Sequence, residues 1–445
     1  MDTRFSSYGR ASLAPAPVNR MMAEFATGFR DGVDINLGVG YVNEQTIPAE
    51  RLVEALQAVA AAPEQFRQAF NYGGAQGSPN LLRSLHRFLV TQRIGGLNEA
   101  ALARTQTIIG ANGATSLLEA ISDVLAPGLV VTSDPNYYIY CNTLERKGFR
   151  ILAVPEDSDG VDTDALERSI AGLGAGADEI AFFYFVTVNN PTCSILSNAR
   201  RRRIVEIASG LSRRFDRRIP VFFDLAYELL IHDPDVTPPE SGLLCDELGI
   251  VYELGTLSKI LAPALRIGYL IGSPGPLLDA MVQKTSDVGF SAPLMAQEMA
   301  SYLLDHAVHE QLQRVNAGYR EKALAVRHAL ESALGDFLAG VQGGRAGFYY
   351  YLSFRDIETD TSSPFFRYLT RCTGDAALDG PTGNPLPRVI YIPGEYCVHA
   401  HGDRVAEGRR QLRLSYGFED VPRIQSAVAL MREAACFAMH QQRAR

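Results

Sequence analysis

The sequence predicts an α/β fold: a large domain with a mostly parallel sheet between helices, and a smaller α+β domain after it. Between about residues 100 and 275, short apolar runs alternate with polar loops and helical stretches, which is typical of parallel sheets covered by helices. After about residue 310, a long helical stretch precedes several short strand-like segments. We therefore expect an N-terminal segment (1–50) that joins the small domain, a large domain (51–310) and a small C-terminal domain (311–445).

Six apolar runs are the strand candidates of the large domain. They are residues 105–110, 129–133, 179–188, 220–224, 249–255 and 265–272. Each run is short enough to form a buried strand. In open sheets of this kind, ligands bind outside the carboxyl ends of the strands. The residues that directly follow each run are therefore the first candidates for a functional site.

Composition favours a protein that acts on small molecules. The 445 residues are 47% hydrophobic, enough for a large core and two domains. The net charge of -8 offers no general positive field for nucleic acid or an anionic membrane. The six cysteines are widely spaced, without a zinc or disulfide pattern, so we expect reduced thiols. Since no secretion signal or membrane-spanning run is apparent, we expect a cytoplasmic protein.

The loops after the runs carry an unusual set of polar groups. The first three runs are followed by GANGAT, DPNYY and NNPT, in that order. Asp224 ends the fourth run and Tyr227 lies three residues beyond it, and TLSK follows the fifth run. An amine that forms a Schiff base with an aldehyde, and a carboxylate that keeps a pyridinium nitrogen protonated, are what pyridoxal phosphate requires. This set therefore favours a pyridoxal-phosphate site.

In the order and spacing of these motifs, the chain resembles the class I/II aminotransferase family of fold type I pyridoxal-phosphate enzymes. The resemblance extends from NLGVG near residue 36 to RLSYG at 413–417. Lys259, in SKILAPALRIGY, matches the lysine that forms the internal aldimine and moves a proton at the substrate α-carbon. Asp224, in DLAY, matches the carboxylate that pairs with the pyridine nitrogen.

The resemblance also implies how the rest of the cofactor is held. Tyr227 and Asn190 are expected to hydrogen-bond the ring 3-hydroxyl oxygen, and Tyr137 is expected to stack on the ring. The phosphate is expected to lie over the start of a helix, where backbone N–H groups and the helix dipole attract anions. The residues expected to surround the phosphate are Ala114, Thr115, Thr256, Ser258 and Arg266.

On the substrate side, the resemblance implies an amino-acid substrate and a homodimer. Arg413, in QLRLSYG, matches the arginine that binds the substrate α-carboxylate, with Asn190 and Gly38 beside it. Tyr72, in NYGGAQG, resembles the tyrosine that reaches the phosphate from the partner subunit, and Ser291 is a second candidate from that subunit. Shared active sites of this kind require at least a dimer.

The chain departs from the family pattern in two places. NNPTC has Cys193 where the family has glycine. We expect a negative φ there, which tolerates a side chain, and no nucleophilic role for the thiol. His399 and His401 precede the carboxylate-binding arginine without a further metal ligand, so we expect no metal site. These late residues indicate a specialised substrate, larger or more polar than a common amino acid.

Amino-group transfer from an amino acid to a 2-oxo acid is the expected reaction. The same cofactor residues also serve elimination, replacement, α-decarboxylation and oxidative deamination, because the orientation of a bond against the ring decides which one breaks. A third hypothesis is a non-catalytic, cofactor-sensing domain of a transcription regulator. It is disfavoured because the resemblance begins near residue 36 and leaves no room for a DNA-binding module ahead of it.

Overall fold

The computed structural model describes residues 3–67, 69–381 and 383–443. Within these residues the chain forms strands that belong to one large sheet and two smaller ones. The strands are β1 (Ile35–Asn36), β2 (Gln106–Ile109), β3 (Leu129–Asp134), β4 (Arg150–Asp157), β5 (Gly160–Val161), β6 (Ile180–Val186), β7 (Val221–Asp224), β8 (Val251–Thr256), β9 (Gly268–Gly272), β10 (Leu338–Gly343), β11 (Tyr349–Phe354), β12 (Val389–Ile390), β13 (Ile392–Pro393) and β14 (Gln411–Ser415).

Helices cover these sheets and alternate with the strands along the large domain. The α-helices are α1 (Ser7–Ala11), α2 (Pro17–Ala26), α3 (Ala49–Ala61), α4 (Pro79–Thr91), α5 (Glu99–Leu102), α6 (Gly113–Val124), α7 (Tyr138–Arg146), α8 (Thr163–Gly172), α9 (Asn198–Arg214), α10 (Pro276–Asp287), α11 (Leu294–His306), α12 (Val308–Leu334), α13 (Pro364–Leu369), α14 (Ala376–Asp379), α15 (Val405–Gly408) and α16 (Val421–Arg443). Among the described residues, no helix combines the length and the apolar character that a membrane crossing needs.

The large sheet has the strand order β2-β9-β8-β7-β6-β3-β4-β5. Strands β4, β3, β6, β7 and β8 pair in parallel, whereas β9 is antiparallel to both β8 and β2. The predicted α/β fold is confirmed, and all six apolar runs form strands. Two details differ: the sixth run is antiparallel, and neither β4 nor the two-residue β5 beside it was predicted from the sequence. Strand β4 escaped notice because it begins with Arg150, ends with Glu156 and Asp157, and is only partly buried.

A second, four-stranded sheet has the order β10-β11-β14-β13 and is antiparallel throughout. It follows the long helix α12, as predicted for the smaller α+β part. The N-terminal strand β1 pairs in parallel with β12, so that Ile35 lies opposite Val389. This pairing brings the N-terminal segment to residues close in sequence to β13 of the small sheet. The domain boundaries at residues 50 and 310 remain predictions.

Aromatic residues fill both faces of the large sheet. Neighbours in a strand point to opposite faces, so Phe182 and Phe222 pack on one face while Phe183 and Phe223 pack on the other. The rings of Phe182 and Phe222 meet edge to face at 5.4 Å. Each fully buried phenylalanine contributes about 1.5–3 kcal/mol of stability. The strands therefore form a rigid platform for the polar residues at their carboxyl ends.

Candidate active site

A cavity of about 150 Å³ lies at the carboxyl ends of the central strands. Its wall contains every residue that the sequence analysis assigned to the cofactor within one subunit. These residues are Ala114, Thr115, Tyr137, Asn190, Asp224, Tyr227, Thr256, Ser258, Lys259 and Arg266. They come from different strand ends and from the start of α6. The fold therefore brings together groups that are far apart in sequence.

Lys259 lies three residues beyond β8 and extends into this cavity. Its Nζ donates a hydrogen bond to the carbonyl oxygen of Gly40 at 3.2 Å. The same nitrogen lies 5.5 Å from the ring centroids of Tyr227 and Phe348. The lysine is thus held between the N-terminal segment and two aromatic rings.

The surroundings of Lys259 disfavour its charged form. Burial lowers the pKa of the amine to about 8, and the positive charges of Arg266 and Arg413 act in the same direction. Loss of hydration and nearby like charge both penalise an ammonium ion. Near neutral pH, a larger fraction of this amine is therefore neutral than in a solvent-exposed lysine. The neutral amine is the form that attacks a carbonyl or removes a proton.

Asp224 is the last residue of β7, and its carboxylate is buried. It accepts hydrogen bonds from the Tyr184 hydroxyl at 2.8 Å and from the Ala226 N–H at 3.0 Å. Burial raises the pKa of this carboxyl group, because loss of hydration penalises the charged form more than the two hydrogen bonds and the charge of Lys259 stabilise it. A buried carboxylate on a cavity wall is suited to a cationic N–H such as a pyridinium, so Asp224 fits the expected cofactor.

The N-terminus of α6 provides a binding place for an anion. The backbone N–H groups of Ala114 and Thr115 donate to no acceptor among residues 3–67, 69–381 and 383–443. Gly113 has a positive φ of 68°, and a Cβ there would lie 2.8 Å from Arg266 Nη2. Unpaired N–H groups and the helix dipole together favour a phosphate. The missing side chain at residue 113 lets the guanidinium approach this helix end.

The turn after β8 adds hydroxyl groups to the same place. The Ser258 N–H donates to Thr256 Oγ1 at 3.1 Å, which closes the TLSK turn. Arg266 Nε donates to Asn112 Oδ1 at 2.8 Å, so the guanidinium is tied to the residue that precedes α6. Hydroxyl, amide and guanidinium donors are the set that a phosphate requires. The residues present therefore fit the phosphate of the expected cofactor.

Arg413, on β14 of the small sheet, is buried beside this cavity. Its Nη1 donates to Asn190 Oδ1 at 2.8 Å, and its Nη2 donates to the Gly38 carbonyl oxygen. The guanidinium carbon lies 4.4 Å from the ring centroid of Tyr349. Within the described part of the chain, the buried Nε has no hydrogen-bond partner. A buried donor without a partner is costly, and a carboxylate would supply one.

One short stretch of the N-terminal segment contacts both sides of the site. Its Gly38 carbonyl accepts from Arg413, and its Gly40 carbonyl accepts from Lys259. Gly38 was expected on the substrate side from the sequence, whereas Gly40 was not. A Cβ at residue 40 would lie 2.8 Å from the Tyr349 hydroxyl, so this position has room only for glycine unless that hydroxyl moves.

Tyr349, like Gly40, belongs to the site but was not found from the sequence. It is the first residue of β11 and is fully buried, and its hydroxyl lies 2.9 Å from the Tyr227 hydroxyl. In sequence it is one of three consecutive tyrosines in GFYYYLSF. The alternation of a strand shows that Tyr349 and Tyr351 share a face. Only the pairing of β11 with β14 sets Tyr351 opposite Arg413, and this register places Tyr349 on the same face as Arg413.

The two adjacent tyrosines after β3 have different surroundings. Tyr137, which precedes α7, lines the cavity. Tyr138 is buried in a cluster with Met21 and Phe25 of α2. Of these two tyrosines, only Tyr137 therefore lines the cavity, and its stacking role remains a prediction.

Tyr72 and Ser291 do not line the cavity as described for this single chain. The Tyr72 side chain is 80% exposed and its ring lies 6.1 Å from that of Phe290. Ser291 is buried, and its hydroxyl donates to the Gly74 carbonyl oxygen at 2.6 Å. A contribution of these residues to a partner's site remains a prediction.

The expectation of a negative φ at Cys193 is wrong. The residue has a φ of 52°, in the left-handed region that favours glycine, at a cost of about 1–2 kcal/mol for a residue with a Cβ. Its side chain is accommodated because Gly347 faces it: a Cβ on Gly347 would lie 2.7 Å from Cys193 Sγ. Burial raises the pKa of the thiol to about 12. A thiol that stays protonated is a poor nucleophile.

His399 and His401 lie outside the cavity wall. Their ring centroids are 5.8 Å apart, and His399 Nε2 lies 3.3 Å from Glu145 Oε1 on α7. Among the described residues, no group of three or more His, Cys, Asp or Glu side chains is arranged to hold a metal ion. His399 therefore connects the segment before α15 to α7, and nothing in the contacts of either histidine supports the interpretation that they select a substrate.

Comparison with known proteins agrees with this geometry. The profile of the family described as "Aminotransferase class I and II" matches residues 33–372. The 2-aminoadipate transaminase of Thermus thermophilus is 27% identical over 294 residues, covering 64% of this chain and 68% of that protein. A Bacillus subtilis protein named "Uncharacterized HTH-type transcriptional regulator YisV" is 23% identical over 404 residues, covering 90% of this chain and 73% of that protein.

A solved structure supports the fold assignment. The structure of LysN, an α-aminoadipate aminotransferase from Thermus thermophilus, contains N-(5'-phosphopyridoxyl)-L-leucine. It superposes with a TM-score of 0.76 at 21% sequence identity, and the match covers 98% of each chain. The likeness therefore extends through all three sheets described above.

Proposed function

This chain belongs to the class I and II aminotransferase family, and we propose that it transfers the amino group of an amino acid to a 2-oxo acid. It is an enzyme of the transferase class, and its cofactor is pyridoxal phosphate. The observation that carries the proposed reaction is that Lys259 lines the cavity while Arg413 lies beside it, bound to Asn190 of the cavity wall. The amine of Lys259, with its lowered pKa, suits the amino-group chemistry. The buried guanidinium of Arg413, whose Nε has no partner among the described residues, suits the carboxylate of the same substrate.

In this proposal, Lys259 binds the cofactor covalently and moves a proton at the substrate α-carbon. Asp224 keeps the ring nitrogen protonated, and the cofactor then supplies an electron-withdrawing ring next to that carbon. Tyr137 stacks on the ring. The lowered pKa of Lys259 and the burial of Asp224 support these roles. The Ala114 and Thr115 amides hold the phosphate; Thr256, Ser258 and Arg266 complete its surroundings.

Asn190 is proposed to serve cofactor and substrate together. Its Oδ1 accepts from Arg413 Nη1 at 2.8 Å. Because the amide oxygen is used in this way, the amide nitrogen remains available to donate to the ring oxygen, beside Tyr227. Asn190 thus orients the guanidinium that binds the substrate carboxylate, together with the Gly38 carbonyl.

We also propose that the enzyme is a homodimer in which Tyr72 of each subunit reaches the phosphate in the partner's site. Tyr72 and Phe70 are 80% and 67% exposed, and Phe290 beside Tyr72 is also exposed. Exposed aromatic side chains that lie close together are typical of a surface that another protein covers. A second copy of this chain would cover them in both subunits at once.

The experiment that tests the reaction uses the cofactor-loaded enzyme and a panel of L-amino acids without any 2-oxo acid. A substrate should convert the cofactor to its pyridoxamine form, with loss of the visible absorbance, and a 2-oxo acid should restore it. Release of CO2, ammonia, pyruvate or sulfide while the absorbance persists would contradict transamination. That result would instead indicate decarboxylation, oxidative deamination, elimination or replacement.

A further inference from the structure

We infer that Tyr349 is a positioning residue for the cofactor ring: its hydroxyl donates to the Tyr227 hydroxyl and thereby directs the Tyr227 proton to the ring oxygen. This inference rests on the proposed function, in which Tyr227 hydrogen-bonds that oxygen. It adds a residue from the small sheet to the cofactor-binding set.

The two tyrosine hydroxyls are 2.9 Å apart, and both side chains are buried. Among the described residues, this contact is the only hydrogen bond of either hydroxyl. The geometry alone allows either oxygen to be the donor. The direction is therefore decided by what else each hydroxyl must do.

Each tyrosine hydroxyl has one proton to donate. If Tyr227 donates its proton to the ring oxygen of the cofactor, it has none left for Tyr349. Tyr349 must then be the donor, and the chain of hydrogen bonds runs from Tyr349 to Tyr227 to the cofactor. Hydrogen bonds connected in this way polarise and strengthen one another.

Arg413 favours this direction. Its guanidinium carbon lies 4.4 Å from the centroid of the Tyr349 ring. A positive charge against the ring withdraws electron density from the phenol, which makes the hydroxyl a better donor. Burial raises the pKa of Tyr349 to about 12, and the charge of Arg413 opposes that effect. The arginine of the substrate side thus acts on the cofactor side through Tyr349.

Gly40 shows that the Tyr349 hydroxyl is closely surrounded. A Cβ at residue 40 would lie only 2.8 Å from this oxygen, and the Gly40 carbonyl accepts from Lys259. The hydroxyl therefore lies between Tyr227 and the backbone that holds the lysine. Phenylalanine in place of Tyr349 would keep the ring against Arg413 and remove only this contact.

The test is the pH titration of the visible absorbance of the lysine-bound cofactor. A donor to the ring oxygen stabilises its negative charge and lowers the pKa of the chromophore. Tyr349→Phe should therefore raise the titration midpoint by about half a pH unit to one unit, which corresponds to the loss of one neutral hydrogen bond. Tyr227→Phe should raise it by at least as much. The double variant should titrate like Tyr227→Phe, because Tyr349 acts through Tyr227.

Tyr350→Phe is the matched control. Tyr350 is the next residue of β11, is equally buried, and its hydroxyl donates to the Ala323 carbonyl oxygen at 2.7 Å. This variant loses one buried hydrogen bond away from the cavity, so it should lower the melting temperature about as much as Tyr349→Phe. Its titration midpoint should not move.

Three results would overturn the inference. An unchanged midpoint in Tyr349→Phe, with a raised midpoint in Tyr227→Phe, would refute the role of Tyr349 and leave the proposed function intact. Shifts that add fully in the double variant would show that Tyr349 acts by a route other than Tyr227. An unchanged midpoint in Tyr227→Phe itself would remove Tyr227 from the ring oxygen, and both proposals would fall.

Discussion

The cofactor side and the substrate side of the site are built in different ways. On the cofactor side, Asp224 and Lys259 follow two adjacent parallel strands, and the backbone alone brings them together. On the substrate side, Arg413 meets Gly38 and Asn190, which lie 375 and 223 residues away in the sequence. The cofactor side therefore depends on one sheet, whereas the substrate side depends on how three distant segments pack.

The Gly38–Gly40 stretch is where the two sides meet, since its carbonyls accept from both Arg413 and Lys259. Tyr349 makes the second connection, through Tyr227. A change on one side that leaves the other unaffected would show that the two sides are independent. A substitution on one side that also alters the other side would show that these contacts couple the two sides.

The largest effect is expected from Lys259→Ala, which removes the covalent attachment and the proton-transfer group together. Activity should fall by at least about 10³-fold, in line with the loss of an acid–base group and a covalent step. Borohydride should no longer fix the cofactor to the chain. The measurement is cofactor retained after reduction and denaturation, with peptide mapping of the wild-type enzyme.

Lys322 provides an internal comparison for this prediction. Burial also lowers the pKa of its amine to about 8, but its Nζ donates to the carbonyls of Gly417 and Glu419 instead of reaching the cavity. Mapping should place the cofactor on Lys259 alone. Cofactor on Lys322, or cofactor still fixed in Lys259→Ala, would contradict the assignment.

The sequence predicted the cofactor side far better than the substrate side, for a physical reason. Strand ends in a parallel sheet meet at one edge, so Asp224 and Lys259 could be placed together without knowing any side-chain packing. Tyr349 could not be placed, because its position depends on the pairing of β11 with β14. The positive φ of Cys193 was not foreseen, because the room for its side chain is left by Gly347, 154 positions later in the chain.

A smaller and more selective effect is expected from Arg413→Lys. An ammonium cannot reproduce the planar fork that binds a carboxylate at two points. We expect kcat/KM for the amino acid to fall by about 100-fold, mainly through KM, because a charge-assisted bond contributes about 1.5–3 kcal/mol. Steady-state kinetics with the best amino acid of the panel provides the measurement. The visible absorbance of the bound cofactor should persist, because Lys259 is intact.

Arg410→Lys is the control, because Arg410 is exposed and donates to the Arg355 carbonyl on the surface. It should leave kcat/KM unchanged. Equal losses in the two variants would remove Arg413 from the carboxylate. A cofactor titration that moves in Arg413→Lys would show that the coupling through Tyr349 reaches the ring from the arginine.

The smallest effect is expected from Tyr72→Phe, which removes one proposed hydrogen bond to the phosphate. The dissociation constant of the cofactor should rise about tenfold, because this factor corresponds to the lower end of the free-energy range for a hydrogen bond to a charged group. Light scattering should show a dimer.

In hybrids of Tyr72→Phe and Lys259→Ala subunits, one site combines the intact Lys259 of one chain with the intact Tyr72 of its partner. That site should bind the cofactor as tightly as the wild-type enzyme does. Weak binding in the hybrid would mean that Tyr72 acts within its own subunit, and a monomer with full activity would exclude a shared site.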